Sequence, residues 1–430
     1  MTAPADPRPL LDALVREQSG QLVATLTRLL GASQLDLVHD CVQDALLQAL
    51  RVWSFEGVPE RPGAWLAQVA RNRALDLLRR ARTVAAKQPQ LERWAARVAA
   101  AAERSAAAPP AADDDRAPAD DTLHLMLLCC HPALAPDSRV ALTLHCAAGF
   151  TVAEIARALL CDERAIEQRL VRAKRTLRGL DVPFALPRRA ELATRLDALL
   201  DVVYLLFNEG YAATGGDELL RGDLVREALR LGTLLAAHPA TTSPRVHALA
   251  ALLLLQAARL PATHDATGEL RLLADQPRAE FDAAARARGF WHLARAAAGD
   301  ELTRFHHEAA IAALHAGAPS HRATDWAQIV WHYDRLLELD GSPIHALHRA
   351  IALGNAAGPA AALAALEPLA REPRLRRHPT LPAARAEFLA RADRRTEAVD
   401  ALREAIRHSR NRAQRRWLEQ RADLLARRTR

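Results

Sequence analysis

The sequence predicts an all-α protein built from several domains. Three observations carry this. Ala, Leu and Arg dominate while aromatics are scarce, at 4%, and those three residues are strong helix formers. Apolar residues recur at three- and four-residue spacing, and no stretch shows the two-residue alternation of a strand. The 430 residues, half of them hydrophobic, suffice for more than one core.

The same composition bounds function. A formal net charge of +7 suits a nucleic-acid partner, although arginines also solvate helix faces. Cys41, Cys129, Cys130, Cys146 and Cys161 are odd in number and fit neither a disulfide framework nor a zinc spacing. They are expected to be reduced, mostly buried thiols of a cytoplasmic protein. The N-terminal MTAPADPRPL lacks the basic-then-apolar pattern of a signal peptide. The longest apolar run, 248–258, is too short to span a membrane, so no membrane partner is expected.

Along the chain, residues 10–82 read as helices with one loop at 54–63, marked by Gly57, Pro59, Pro62 and Gly63. Residues 83–121 pass into SAAAPPAADDDRAPADD, which cannot bury a face and is expected to be a flexible linker. Helical patterning returns at Leu123 and runs to about Leu180, followed by the connector DVPFALPRR. From Ala190 onward helices alternate with short turns. Residues 325–339 with 344–355, and 381–392 with 396–408, read as helical hairpins. Glu397-Ala398, Ala401-Leu402 and Ala405-Ile406 follow, loosely, the small/large alternation of tetratricopeptide-type repeats.

The most legible local feature is FTVAEIARALLCDERAIEQRLVRAKRTLRG. Thr151 and Glu154 form a T-x-x-E capping box that fixes a helix start. After a turn at Leu160-Cys161, Asp162 is a good N-cap for a second helix, in which Ile166, Leu170 and Ala173 face inward. This is the layout of a helix-turn-helix. Arg164 and Gln168 suit bidentate base readout, and Arg169, Arg172, Lys174 and Arg175 suit phosphates. Glu167 either accepts from a cytosine amino group or weakens phosphate affinity.

This segment resembles region 4 of RNA polymerase sigma factors, through Thr151, Glu154, Ile155, Ala156 and Leu159, then Arg169, Leu170, Arg172 and Ala173. Leu160 departs from the usual Gly and Asp162 from the usual Ser. A second resemblance is to sigma region 2. LDLVHDCVQDALLQALRVW (35–53) is similar to the helix that docks on core polymerase, with Asp40, Val42, Gln43 and Asp44 as the matching contact residues. His39 stands where an acid is common. GAWLAQVARNRALDLLRRAR (63–82) is similar to the helix that contacts the −10 element, through Trp65, Leu66, Ala70, Arg71, Asn72, Asp76, Arg79 and Arg80. Arg71, Arg73, Arg79, Arg80 and Arg82 also make a basic strip suited to a phosphate backbone.

The resemblance implies that the preceding loop, 54–62, holds a flipped base, whose unstacking costs roughly a few kcal/mol; Trp53 and Phe55 either support it or are structural. It also implies two promoter readers about two DNA turns apart, with linker slack between them. The implied −10 contacts are Trp65, Arg71, Asn72, Arg73, Arg79 and Arg80. The implied −35 contacts are Arg164, Glu167, Gln168, Arg169, Arg172, Lys174 and Arg175.

The whole order resembles one subgroup of extracytoplasmic-function (ECF) sigma factors with a tetratricopeptide-like C-terminal extension. This divides the chain into region 2 (8–82), linker (83–121), region 4 (122–182) and extension (190–425). Expected partners are bacterial core RNA polymerase, promoter DNA (double-stranded and melted), and a peptide or protein bound by the extension. FNEGYAATGGD (207–217) is either a special loop or a helix end followed by a new start.

Catalytic motifs are missing. His306-His307-Glu308 lacks the second His of a metalloprotease helix, so no enzyme, cofactor or metal is expected. Two rivals stand beside the sigma reading: a helix-turn-helix activator with a helical sensor domain, and a repeat scaffold that does not bind DNA.

Overall fold

A computed structural model describes residues 8–85, 116–159, 161–180, 182–212, 220–265 and 269–427. Among them are eighteen α-helices and no β-strand, only a lone antiparallel bridge between His264 and Leu270. The all-α expectation therefore holds. Among the described residues no helix is long and apolar enough to cross a membrane. The chain divides into two compact units, Met1–Val202 and Val203–Arg430.

In the first unit, α1 is Arg8–Leu30, α2 Leu35–Glu56 and α3 Pro62–Ala85. Helix α2 exists because Leu35, Val38, Cys41, Val42, Ala45, Leu46, Ala49 and Trp53 fall on one buried face at helical spacing. It ends at Gly57, whose N–H donates to the Trp53 carbonyl. Helix α3 then starts at Pro62, where a missing N–H costs no intrahelical bond, and buries Leu66, Ala70 and Ala74. The rings of Trp53 and Trp65 meet at 5.4 Å and join α2 to α3.

Next come α4 (Arg116–Cys129), α5 (Pro136–Cys146), α6 (Val152–Ala158) and α7 (Glu163–Leu180). Residues 116–121, expected within the linker, are the first turns of α4. The reason is tertiary: Asp121 is buried and accepts from Arg28 Nε of α1 at 2.9 Å. The rest of the expected linker, 86–115, lies outside the described residues. The capping box of α6 is formed, with Glu154 N–H donating to Thr151 Oγ1 at 3.2 Å and Thr151 N–H donating to Glu154 Oε2 at 2.9 Å. Asp162 Oδ1 accepts from the Arg164 N–H at 2.8 Å and caps α7. Leu160 lies outside the described residues.

Helix α8, Arg189–Tyr211, follows. Of 207–217, read either as a special loop or as a helix end followed by a new start, residues 207–211 close α8 and 213–217 lie outside the described residues.

The second unit continues with α9 (Gly222–Ala237), α10 (Pro244–Ala257), α11 (Ala283–Ala296), α12 (Arg304–Gly317), α13 (Trp326–Asp340), α14 (Pro343–Ala356), α15 (Pro359–Leu366), α16 (Thr380–Arg391), α17 (Arg395–His408) and α18 (Arg412–Arg427). Neighbouring helices pack in hairpins, as with α10 on α11, α13 on α14, and α16 on α17. Ala398, Ala401, Leu402 and Ala405, read as repeat positions, are buried in one core with Leu389 and Leu418.

One repeat was not read from the sequence. Trp291-His292-x-x-Arg295 on α11 recurs as Trp331-His332-x-x-Arg335 on α13. In each copy the His Nδ1 meets another His Nδ1, His247 at 2.8 Å and His307 at 3.1 Å. In each copy the Arg lies over the Trp ring, at 4.2 and 5.7 Å. His307 therefore belongs to a packing pair. Its neighbour Glu308 accepts from Tyr204 Oη at 2.5 Å, and His306 caps α12 through Thr303.

Candidate nucleic-acid interface

The exposed side of α2 is a single stripe. Asp36, Asp40, Gln43, Leu47 and Leu50 are exposed at three- and four-residue spacing. Leu47 is 50% exposed, and Phe55, just beyond, is 90% exposed. Acidic and amide groups thus lead into exposed apolar side chains. Leu47 and Leu50 were not singled out in the sequence, because an apolar residue in a helix reads as core until its neighbours are placed.

One expected docking residue needs correction, and a second has a partner within the fold. Val42 is 3% exposed and serves the core, because it follows Val38 by four residues on the buried face. Asp44 Oδ2 accepts from Arg73 Nε at 2.7 Å, which ties α2 to α3. Asp40 and Gln43 remain open on the surface.

The same ion pair engages Arg73, whose side chain stays 41% exposed. Arg71 is half-buried and Asn72 is exposed, its Oδ1 accepting from Gln68 Nε2 at 2.8 Å. Arg79 is exposed and 3.2 Å from Asp76 one turn back, a surface contact worth at most about 1 kcal/mol. Trp65 is half-buried against the buried Trp53; Trp53 is thus structural and Phe55 the exposed ring. The side chain of Arg80 lies outside the described residues.

In the helix-turn-helix, Ile166, Leu170, Ala173 and Leu177 are buried. Their opposite face carries Arg164, Glu167, Gln168, Val171, Arg172 and Arg175, all exposed. Val171 is 64% exposed. An apolar side chain there suits contact with a thymine methyl, and its role was not legible from the sequence. Arg169 and Lys174 turn elsewhere. Arg169 lies 3.3 Å from Asp137 of α5 and also donates to Cys161 Sγ. Lys174 is 13% exposed and 3.2 Å from Asp36 of α2.

The cationic part of the open face is therefore Arg164, Arg172 and Arg175. If Arg172 and Arg175 bind phosphates, replacing both by Gln lowers the log–log slope of DNA binding against salt by about 2. Measured as titrations at several salt concentrations, an unchanged slope would contradict that role.

Four of the five cysteines are buried, and Cys161 is half-buried. Burial pushes the Cys41 thiol up to about 11 and Cys130 up to about 12, as expected of structural thiols.

The fold and its two exposed helical faces define an all-α protein in which a helix-turn-helix follows an N-terminal helical bundle. Residues 14–84 match the sigma-70 region 2 family, and residues 124–177 match sigma-70, region 4. Residues 195–297 match a family of unknown function (DUF6596). An uncharacterized protein of Rhizobium meliloti (strain 1021) is 36% identical over 393 residues, covering 91% of this chain and 90% of that protein. No solved structure matches. The chain belongs to the sigma-70 family of sigma factors, whose regions 2 and 4 bind core RNA polymerase and promoter DNA.

Proposed function

We propose that this protein is an alternative sigma factor of the ECF type with a tetratricopeptide-like C-terminal extension. The observation that carries the proposal is the pairing of two open faces in the two sigma segments. One, on α2, is acidic and apolar; the other, on α7, is basic and polar. Core polymerase docks on Asp40, Gln43, Leu47 and Leu50. Helix α3 contacts the melted −10 strand through Arg71, Asn72 and Arg79. Helix α7 reads the −35 element with Arg164, Glu167 and Gln168, places Val171 on a thymine methyl, and rests Arg172 and Arg175 on phosphates. Region 2 is assigned to the segment that ends with α3, region 4 to 116–182 and the extension to 190–425, with the linker between 85 and 116. A factor of this kind acts where polymerase and DNA meet, in the cytoplasm.

The stacked helical hairpins and the repeated Trp-His-x-x-Arg support the repeat reading of the extension. Hairpin stacks of this kind generally offer a surface for a peptide or a domain, and modulation of sigma activity is the role we assign to it. The test is transcription with bacterial core polymerase on a pool of randomised promoters, comparing the full chain with residues 1–182. Selection of a two-element promoter supports the sigma assignment, and a difference between the two proteins supports modulation. DNA binding with no dependence on polymerase would favour the activator instead.

A further inference from the structure

Helices α10 and α11 pack as a hairpin, yet residues 258–282 separate them, whereas α13 and α14 are joined by Gly341-Ser342 alone. The long connection is built from single 3-10 turns at Leu260–Ala262, Leu273–Asp275 and Arg278–Glu280. Connections of that length inside a compact unit commonly carry function.

This one puts two arginines where arginine seldom goes. Arg259 is 8% exposed. Arg278 is half-buried, with Nε and Nη2 shielded from solvent. A charge at such depth is ordinarily paired with an opposite one. Among the described residues, neither guanidinium makes an ion pair. Arg259 Nη1 donates to Gln256 Oε1 at 3.2 Å, and its Nη2 donates to Gln276 Oε1 at 3.3 Å. Arg278 Nη1 donates to the Gln276 carbonyl at 3.0 Å, and its guanidinium lies over the Phe281 ring at 5.0 Å. Gln276 thus joins the two cations, one through its side chain and one through its backbone, and all three acceptors are neutral. The acids of the connection are engaged elsewhere. Glu280 accepts from Arg271, Glu269 from Gln420, and Asp282 caps α11. Asp275 is exposed and lies near His321.

What remains is a set of buried nitrogens without partners: Nε and Nη2 of Arg278, Nε of Arg259, and Nδ1 of His315 on α12. Buried polar atoms are nearly always satisfied, so four together call for an explanation. Nε and Nη2 form the guanidinium edge that grips an oxyanion with two parallel bonds. His315 is close enough to both arginines that they add to burial in holding it neutral. The rings of His315 and His321 stand 5.3 and 4.9 Å from the Trp326 indole, which makes an aromatic wall beside the donors.

We propose that Arg259 and Arg278 bind the phosphate group of a small phosphorylated ligand, with His315 completing the donor set. Two guanidinium charges without a counter-charge call for a dianion. A phosphate supplies both charges, and its oxygens can accept from donors on separate side chains, whereas a single carboxylate offers one charge in one plane. The proposal does not rest on the sigma-factor assignment, and its failure would leave that assignment untouched.

The test uses the full chain, unaltered and as Arg278→Gln, Arg278→Lys and Arg259→Gln. Inorganic phosphate is the probe, and succinate and sodium chloride are compared at matched ionic strength. Affinity is read by titration calorimetry and stability by the thermal midpoint of the C-terminal unit. Phosphate should raise the midpoint of the unaltered chain more than succinate or chloride does. Arg278→Gln should lower phosphate affinity at least about tenfold, and Arg278→Lys, which keeps the charge without the fork, should lower it less.

The sign of the stability change separates a ligand site from a structural one. Without phosphate, Arg278→Gln should be at least as stable as the unaltered chain, because it removes an unpaired charge beside Arg259. With phosphate, the unaltered chain should be the more stable. A structural arginine would cost stability in both buffers, and that result would overturn the proposal. Phosphate binding that neither Arg278→Gln nor Arg259→Gln weakens would also overturn it, since the anion would then sit on other arginines. Succinate binding as tight as that of phosphate would overturn the phosphate assignment.

Discussion

Acidification from pH 7.5 to 5 is expected to destabilise the C-terminal unit strongly. Burial, with His247 and Arg288 beside it, holds His292 down to about 4. Burial, then Arg259, takes His315 to about 3, and burial, then His345, takes His348 to about 4. These groups protonate in the unfolded chain near 6.5, so their neutral forms stabilise the fold above that pH. The stability is lost as pH falls from 6.5 toward 4. At pH 5 the loss is about 1–2 kcal/mol for each group, roughly 5 kcal/mol together. Glu308 works in the opposite sense. Burial raises its carboxyl above the ordinary range, so it gains relative stability as pH falls and trims the total. Denaturant midpoints of the full chain at the two pH values check this, with the transition of the C-terminal unit followed by its tryptophans. A midpoint independent of pH would mean that these histidines are accessible to protons in the fold.

Gly354→Ala should destabilise the same unit by about 3 kcal/mol. A Cβ at 354 would stand 2.3 Å from Phe388 Cε1 and 2.6 Å from the Ala362 Cβ. Phe388 is buried among Leu347, Ala350, Leu366 and Leu375 and has nowhere to go. Ala is a better helix former than Gly by about 1 kcal/mol, but a sub-van-der-Waals contact against a fixed ring outweighs that gain. The thermal midpoint reads the loss. Adding Phe388→Leu should recover part of it, because the ring edge that clashes is removed, and the double-mutant cycle isolates that contact. An unchanged midpoint in Gly354→Ala would show that α14 and α16 are free to move apart.

Much of the first unit was legible in the sequence because its signals are local. Thr151 with Glu154, and Asp162, mark helix starts through side chains that bond within three residues. Ile166, Leu170 and Ala173 declare their burial by period alone. The exposed positions of α2 and α7 follow from the same period, which is why Asp40, Gln43, Arg164 and Gln168 sit at the surface as expected. What could not be read is which charges are already spoken for. Arg73 finds Asp44, Arg169 finds Asp137 and Lys174 finds Asp36, and each partner lies on another helix, chosen by packing. Val42 was misplaced for a related reason: a match to a docking motif does not say which of its residues supply the helix's own core.

The end of the expected linker was misread because its composition resists helix formation, whereas the Asp121 contact with Arg28 draws it into α4. The Trp-His-x-x-Arg repeat was present in the letters but not in any periodicity of hydrophobic residues. It became visible only when its two histidines were seen to meet the same residue type on the preceding helices.

The central claim is that α2 delivers this chain to core RNA polymerase. The most direct measurement is co-purification of the full chain with bacterial core polymerase, unaltered and with Asp40→Arg combined with Leu47→Glu. Both positions are exposed, so the substitutions leave the core of α2 intact. Stable association of the unaltered chain, reduced at least about tenfold by the paired change, is the expected result; burying a charge at a docking centre commonly costs more than the ~1.4 kcal/mol this requires. Failure of the unaltered chain to associate, or association that ignores the paired change, would contradict it.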